Sequence, residues 1–263
     1  MNAIVLMAIG EKYLKYFEYV RTQFESYAKR CNAELILCTE VPDPTFRRNI
    51  LAQKMLLPKL YINYDWIAFF DLDVLISQNA PSIFDYVDES KAFSAVVDPR
   101  GTQKFKNVVL NVWGSLKILE ESHQTYFTDR GFPNNPLLSG SINGGVFLCQ
   151  PKKISSKFRD FYFSDFHEMP HEEAMMAYVS QSNNLFYELD ERFNKQIAYE
   201  IYSNDEIILI INKKYFRFLR RLHTYVKPFS FMYPAGYKNF VKKQLEESYV
   251  LHFSGGFPFA NIT

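Results

Sequence analysis

Several kinds of residue are scarce in this 263-residue chain, and each scarcity excludes a class of protein. The three cysteines, Cys31, Cys38 and Cys149, have no C-x-x-C spacing. They fit neither a disulfide framework nor a thiolate metal site, which favours a reducing compartment. Lys plus Arg (30) and Asp plus Glu (29) cancel to a net charge of +1, so no overall field steers the protein to nucleic acid.

Long apolar segments are also lacking. No apolar run approaches the ~18 residues that cross a bilayer. The apolar residues 1–9 have no basic region before them and run straight into Glu11 and Lys12, so we expect a first strand rather than a signal peptide. The expected location is therefore cytoplasmic, with contact to the cytoplasmic face of a membrane still open.

Aromatic residues, in contrast, are abundant. Phe, Tyr and Trp make up 17% of the chain, and apolar residues as a whole make up 48%. This composition excludes a disordered tail and a collagen-like repeat. The rings serve either a heavily aromatic core or a binding surface, and composition leaves both open.

Strand and helix patterns alternate over roughly the first 150 residues. Residues 3–7 and 34–38 are strand-like and flank a helical pattern whose apolar side chains recur every three or four positions between 14 and 28. Further predicted elements are a helix at 50–61 interrupted near Pro58, a strand at 66–76 broken by two carboxylates, and strands at 93–97, 144–148 and 207–211. This alternation predicts an α/β fold with a mostly parallel, mixed central sheet covered by helices on both faces. There is no internal repeat and no Gly/Ser/Pro-rich linker, so we expect a single domain.

Two aspartates interrupt the most apolar of these strands. Asp71 and Asp73, in Asp71-Leu72-Asp73, are two residues apart, and period two places both side chains on the same side of a strand. Ionised carboxylates so close repel each other and are costly to bury unless a cation bridges them. Oxygen ligands suit a hard divalent cation such as Mn²⁺ or Mg²⁺. The alternative is a strand end whose aspartates cap a helix or accept hydrogen bonds in a turn.

Further segments follow a recognisable order along the chain. They are Met7-Ala8-Ile9-Gly10 with Tyr13, Lys54 in Gln53-Lys54-Met55-Leu56, Asn143-Gly144-Gly145-Val146, Glu172-Glu173-Ala174-Met175, and Leu251-His252-Phe253-Ser254-Gly255. Together with the Asp-x-Asp strand they resemble the GT-A-fold glycosyltransferases. The likeness is strongest to the retaining families typified by glycogenin, bacterial lipopolysaccharide galactosyltransferases (family eight) and galactomannan or xyloglucan side-chain transferases.

The resemblance implies a function and a set of site residues. The implied reaction is metal-dependent transfer of a sugar, with retention of configuration, from a nucleotide-diphosphate sugar, UDP-linked in these families, to a saccharide or glycolipid hydroxyl. His252 would complete a metal site with Asp71 and Asp73. Contacts to the nucleotide-sugar donor would come from Ala8, Ile9, Gly10, Tyr13, Lys54, Asp71, Leu72, Asp73, Asp98, Asn143, Gly144 and Gly255, and catalytic contacts from Glu172 and Glu173. The nucleotide-binding half would be about residues 1–100 and the acceptor side about 101–263.

The chain departs from the family pattern at two positions. Glu173 stands where the family more often carries Gln, and a carboxylate there is a better nucleophile or electrostatic stabiliser of an oxocarbenium-like state. Pro258 stands where a Lys that contacts the diphosphate is common. Either the phosphate contact comes from elsewhere, or this chain belongs to the subgroup of the family without that Lys.

A basic, aromatic segment covers residues 212–227. Its basic residues Lys213, Lys214, Arg217, Arg220 and Arg221 are predicted to share one helix face, and Tyr215, Phe218, Leu219 and Leu222 the other. Such a helix either packs its apolar stripe on the domain or docks on an anionic membrane surface, which suits a lipid-linked acceptor. Tyr215 to Tyr225 and Phe257 to Phe259 are candidate sugar or lipid contacts.

Three other functions fit parts of the pattern. A haloacid-dehalogenase-type phosphatase also begins with an apolar strand and Asp-x-Asp, but it wants Thr where this chain has Leu75, and a Gly-Asp-x-x-x-Asp motif downstream. A sugar-phosphate nucleotidyltransferase needs a Gly-rich loop after the first strand, where Gly10 stands alone. A carbohydrate-binding relative without catalysis would keep the same fold, and the retained Asp71, Asp73 and His252 argue against it.

Overall fold

The structure is a computed structural model that describes residues 1–223 and 232–258. It contains two compact units. The first comprises Met1–Leu72, Pro81–Asp98 and Glu121–Glu191, and the second Asp73–Ala80, Pro99–Glu120 and Arg192–Thr263. The single-domain expectation stays a prediction.

The secondary structure of the described residues is as follows. The strands are β1 (Asn2–Met7), β2 (Ala33–Cys38), β3 (Ile67–Phe70), β4 (Val74–Ile76), β5 (Phe93–Val97), β6 (Ile142–Cys149), β7 (Phe186–Glu188), β8 (Lys195–Gln196) and β9 (Val250–His252). The α-helices are α1 (Glu11–Arg30), α2 (Leu57–Leu60), α3 (Gln103–Val108), α4 (Leu116–Glu120), α5 (His123–Thr128), α6 (Pro151–Tyr162), α7 (Glu173–Ser182), α8 (Ile197–Ile201), α9 (Asp205–Ile211), α10 (Lys214–His223) and α11 (Ala235–Glu246). Short 3-10 helices lie at Ala52–Leu56, Ile83–Tyr86 and Glu191–Asn194, and a π-helical turn at Val109–Trp113.

A six-stranded sheet organises the first unit in the order β2-β1-β3-β6-β5-β7. β1 pairs in parallel with β2 and β3, and β5 pairs in parallel with β7, whereas β6 runs antiparallel to its neighbours β3 and β5. All strands of this sheet but β6 therefore point the same way. The predicted mostly parallel, mixed sheet is confirmed.

Consecutive residues of β3 show how helices cover both faces of this sheet. Phe70 lies edge-on to Phe24 and Tyr27 of α1, with ring centroids 5.7 and 6.0 Å apart. Phe69 stacks on Phe147 of β6 at 5.0 Å, within a core cluster that includes residues of α6 and α7. Because adjacent residues of a strand point to opposite faces, α1 covers one face and α6 with α7 the other. Much of the high aromatic content belongs to this core.

A three-stranded sheet in the order β4-β9-β8 belongs to the second unit. β9 pairs antiparallel with β4, Val74 lying opposite His252, and parallel with β8, where Gln196 lies opposite His252. Helices α3, α4 and α8 to α11 belong to the same unit. The two neighbours of β9 thus come from chain segments far apart in sequence.

Three predicted elements differ in the structure. Residues 207–211 are not a buried strand but the end of α9, because the side chain of Asn204 caps the helix by accepting a hydrogen bond from the backbone nitrogen of Ile207 at 3.1 Å. The predicted strand at 66–76 is two strands, β3 and β4, which belong to different sheets. Pro58 does not interrupt a helix but lies in the first turn of α2, a position where a proline needs no hydrogen-bond partner.

Helix α10 forms where the sequence predicts it, but its faces differ from the prediction. Phe216 and Leu219 are buried, whereas Tyr215 is 52% and Phe218 58% exposed. Tyr215 and Phe218 therefore lie among the basic side chains and not on the packed face. Residues 224–227 of the predicted basic segment, and Phe259, lie outside the described residues. Among the helices that are described, none combines the length and apolar character that crossing a membrane requires.

Candidate functional site

Most of the predicted site residues of the first unit lie at one edge of its sheet. β1, β3 and β5 end there, and they are followed by residues 8–10, Asp71 and Asp98. Antiparallel β6 begins at the same edge with Ile142, which lies opposite Val97. Asn143 and Gly144 therefore join the carboxyl-terminal edge of the sheet, where α/β proteins bind ligands.

Lys54 lies at the centre of a buried polar network at this edge. Its Nζ is 2.7 Å from Glu172 Oε1 and 3.0 Å from Asp71 Oδ1, and it donates to the carbonyl of Gly144 at 3.3 Å. Lys54 and Glu172 are 4% and 3% exposed. The two carboxylates and the carbonyl provide three acceptor groups, one for each of the three N–H groups of the Lys54 ammonium. The network therefore fixes Glu172 and Asp71 relative to the sheet, and the expected contact from Lys54 to a donor stays a prediction.

Electrostatics keep this lysine charged. Burial disfavours the cation, but the carboxylates of Asp71 and Glu172 outweigh burial and raise the pKa of Lys54. An opposite charge within hydrogen-bond distance stabilises the ammonium more than desolvation destabilises it. Lys54 is thus a fixed positive charge beside Asp71.

Glu173 opens α7 and is bound to the start of β6. Its Oε1 accepts hydrogen bonds from Asn143 Nδ2 and from the backbone nitrogen of Gly144, both at 3.1 Å. Desolvation, followed by the charge of Glu172, raises the pKa of Glu173 to about 7, and Asp98 adds to the rise. The Asn143 side chain in turn accepts from the backbone nitrogen of Gly145 at 3.1 Å. Burial and the neighbouring carboxylates therefore favour the protonated form of Glu173 more than in an exposed glutamate.

The glycine at 144 is required by close packing. A Cβ atom added there would lie 2.7 Å from Glu172 Oε1 and 3.3 Å from Glu173 Cγ. The first contact is shorter than a carbon atom allows and the second is tight, so a side chain at this position would displace Glu172. The Asn-Gly-Gly sequence is thus explained by the approach of the α7 N-terminus to β6.

His252 is the corresponding buried residue of the second unit. It ends β9 and is 4% exposed. Its Nδ1 is 2.9 Å from Asn194 Oδ1, and its Nε2 is 3.3 Å from Asp73 Oδ1. Since an amide oxygen only accepts hydrogen bonds, this contact places a proton on Nδ1. In the neutral ring Nε2 then carries the lone pair that can bind a metal ion, whereas in the protonated ring Nε2–H pairs with the Asp73 carboxylate.

Asp71, Asp73 and His252 form a group that could hold a metal ion. Each offers one ligand atom, and these atoms lie within 4.8 Å of one another. Two carboxylate oxygens and one imidazole nitrogen suit Mn²⁺ or Mg²⁺. Asn194 would act as the outer partner that orients a metal-binding histidine. The donor set of the described residues therefore fits the predicted metal.

The predicted nucleotide contacts follow β1. The backbone nitrogen of Ala8 donates to the carbonyl of Cys38 at 2.9 Å, which continues the pairing of β1 with β2. Gly10 has a positive φ of 86° and turns the chain into α1, whose residue Tyr13 is 49% exposed. An exposed ring at the carboxyl-terminal edge is available to stack on a base. Base binding by residues 8–10 and Tyr13 stays a prediction.

The structure adds one residue that the sequence analysis does not include. Asn194 binds His252 but belongs to the short 3-10 helix Glu191–Asn194, whose sequence carries no motif. Leu72, predicted among the donor contacts, is 6% exposed between the two aspartates. Gly255 lies in the turn after β9 with a φ of 83° and accepts a hydrogen bond from Arg220 through its carbonyl.

Comparison with known proteins identifies the fold. No family model matches the chain, and no curated protein matches it in sequence. In structure it is similar to an active-site mutant of LgtC (17% identity, TM-score 0.51, covering 97% of this chain and 88% of that one). It is also similar to WbbM, a bifunctional glycosyltransferase (11% identity, TM-score 0.55, covering 97% of this chain and 46% of WbbM). These likenesses show that the chain has the predicted glycosyltransferase-type α/β fold.

Proposed function

We propose that the protein is a metal-dependent glycosyltransferase that moves a sugar from a nucleotide-diphosphate donor to a hydroxyl group. The observation that carries this proposal is the group Asp71, Asp73 and His252 at the end of β3 and β9, in a fold similar to that of glycosyltransferases. A UDP-sugar is the proposed donor and a saccharide or lipid-linked saccharide the proposed acceptor. Mn²⁺ is the proposed metal, with Mg²⁺ as the alternative.

Each side chain of the metal group has a separate role in this proposal. Asp71, Asp73 and His252 would hold the divalent cation, which when bound supplies Lewis-acid neutralisation of the diphosphate leaving group. Asn194 fixes the ring of His252 with Nε2 toward Asp73. Lys54 holds Asp71 through an ion pair at 3.0 Å. The carboxylates are thereby preorganised, so that binding a cation requires little rearrangement.

The donor sugar would lie against the acidic residues at the sheet edge. Asp98, Asn143 and Glu172 are the proposed hydrogen-bond partners of its hydroxyl groups. Glu173 is the proposed group on the side of the sugar away from the leaving diphosphate. With a pKa of about 7 it is partly ionised at neutral pH, and its carboxylate form can stabilise an oxocarbenium-like state. With retention, the leaving phosphate oxygen takes the acceptor proton, so no separate protein base is needed.

A donor screen tests the proposal. Purified protein is incubated with UDP-, GDP- and dTDP-sugars, with Mn²⁺ or with a chelator, and release of the nucleoside diphosphate is measured. We expect metal-dependent hydrolysis of one donor class and thermal stabilisation by the same donor. Asp73→Asn should abolish the metal-stimulated rate, and Asp160→Asn, an exposed aspartate of α6, should leave it unchanged.

Three outcomes would contradict the proposal. Full activity of Asp73→Asn would remove this residue from the site. Release of inorganic phosphate from a simple phosphate monoester, lost in Asp71→Asn, would instead support the phosphatase alternative. Donor binding without any transfer or hydrolysis would support a carbohydrate-binding protein that lacks catalysis.

The exposed face of α10 supports a second part of the proposal, contact with an anionic membrane. Lys214, Arg217 and Arg221 are exposed on this face together with Phe218, while Phe216 and Leu219 pack inward. At ~1 kcal/mol per basic residue, this face gives reversible recruitment to the cytoplasmic side of a membrane rather than permanent anchoring.

Vesicle co-sedimentation tests the membrane contact. At low salt the protein should sediment with phosphatidylserine-containing vesicles and not with phosphatidylcholine vesicles. The double variant Arg217→Glu with Arg221→Glu should lose binding. Equal sedimentation of this variant and the wild type would refute the role of α10.

A further inference from the structure

Arg220 is the basic residue of α10 that is turned away from the exposed face of this helix. Its Nη2 donates to the carbonyl of Gly255, and its Nε donates to the carbonyl of Gly256 at 3.2 Å. The guanidinium carbon lies 4.2 Å from the ring centroid of Phe257, which is 2% exposed. These contacts hold the guanidinium in one position, so its ordering cost is already met in the folded protein.

The turn that Arg220 holds is joined directly to the metal group of the same unit. His252 ends β9, and the next residue, Phe253, donates its backbone N–H to the carbonyl of Asp73 at 2.8 Å. Gly256 closes the turn by donating to the carbonyl of Phe253 at 3.2 Å. Three residues of chain span at most about 11 Å, so Gly255 lies within that distance of His252. A ligand on His252 and Asp73 that is the size of a diphosphate reaches the neighbourhood of this turn.

The guanidinium has hydrogen bonds left to give. Within residues 1–223 and 232–258, two of its five N–H groups are directed at the carbonyls of Gly255 and Gly256, and no residue of these ranges accepts a hydrogen bond from the other three, which a ligand can use. The turn also leaves room beside it. A Cβ atom added at Gly255 would have Phe257 at 3.8 Å and Arg220 at 3.9 Å as its nearest neighbours, and at Gly256 no described atom lies within 4 Å.

We propose that Arg220 is a diphosphate-binding residue, with its remaining N–H groups on the phosphate oxygens of the nucleotide. This inference rests on the proposed function. A nucleoside diphosphate placed near Asp73 faces a like charge, and a fixed guanidinium of the same unit offsets that repulsion. The planar fork of Arg matches phosphate oxygens in pairs, which an ammonium does not. Pro258, three residues after Gly255, carries no charge and cannot contact a phosphate through a cationic side chain. Arg220 would supply this contact instead.

The test compares a nucleoside diphosphate with its nucleoside. Dissociation constants are measured by calorimetry with Mn²⁺ for the tightest binder among UDP, GDP and dTDP, and for the matching nucleoside. Arg220→Gln should weaken diphosphate binding about 10- to 100-fold and change nucleoside binding less than about twofold. Arg220→Lys should recover part of the loss, and the exposed Lys242→Gln of α11 should match the wild type.

The results separate the claims. Unchanged diphosphate affinity in Arg220→Gln would overturn the inference while leaving the proposed function intact. Equal losses for diphosphate and nucleoside, with a lowered unfolding temperature, would assign Arg220 a structural role only and would also overturn it. No binding of any nucleoside diphosphate by the wild-type protein would reject the proposed function itself.

Discussion

Replacing Lys54 by Met would test whether the buried network positions the acidic residues. Methionine keeps the length and apolar stem of the side chain but removes the ammonium that lies 2.7 Å from Glu172 and 3.0 Å from Asp71. Asp71 is about one-third exposed and can be hydrated, whereas Glu172 is buried. The perturbation therefore leaves one buried carboxylate without its cation.

The expected cost is large. Breaking a buried ion pair by removing one partner typically costs about 3–5 kcal/mol, because the remaining charge stays desolvated. Glu172 also lies beside Glu173, whose pKa its charge raises, so the like charge adds to the penalty. We expect Lys54→Met to lower the free energy of unfolding by about 4 kcal/mol at pH 8.

A second substitution identifies the cause. Without Lys54, the buried carboxylate of Glu172 has lost the cation that lay 2.7 Å away, and Glu172→Gln replaces this carboxylate by a neutral amide of the same size. In urea unfolding at pH 8, the double variant Lys54→Met with Glu172→Gln should therefore recover much of the stability that Lys54→Met loses. A deficit of Lys54→Met below about 1 kcal/mol, or a double variant no more stable than Lys54→Met, would refute this reasoning.

Three further substitutions have defined outcomes. The folded-state pKa of Glu173 is about 7 and its unfolded value is 4.5, so the free energy of unfolding of the wild type falls as pH rises across this interval. The total fall is about 3 kcal/mol, and Glu173→Gln should remove it in urea unfolding measured across the same interval. Gly144→Ala places a Cβ 2.7 Å from Glu172 Oε1 and should cost about 1–3 kcal/mol in the same assay, with unchanged stability contradicting the packing. Asn194→Ala should lower Mn²⁺ affinity about 10- to 100-fold in a titration, because His252 loses the partner that orients its ring, and unchanged affinity would exclude that role.

Local patterns were sufficient to predict the central sheet and the placement of its edge. β1, β2 and β5 follow from short apolar runs, and α1 from buried side chains such as Phe17, Phe24 and Tyr27 at helical spacing. The error at residues 207–211 has a local cause. Five consecutive aliphatic residues carry no periodicity, so the helix-capping Asn204 and the acidic first turn were the informative signals.

The parts of the candidate site that the sequence did not predict depend on contacts between residues far apart along the chain. Asn194 meets His252 because β8 pairs with β9, a contact between segments more than 50 residues apart. The ion pair between Lys54 and Glu172 likewise joins a 3-10 helix to the start of α7. The sequence pattern also did not predict which face of α10 is buried, because aromatic and basic residues are interleaved along this helix. The structure shows that Phe216 is the buried ring.

The most direct test of the central claim is a titration of Mn²⁺ into the protein with and without UDP, followed by calorimetry. We predict one Mn²⁺ site per chain, UDP binding that requires the metal, and loss of both in Asp73→Asn and His252→Ala, while Asp160→Asn behaves as the wild type. Absence of Mn²⁺ and Mg²⁺ binding to the wild-type protein, or metal binding that survives both substitutions, would contradict the proposed metal site.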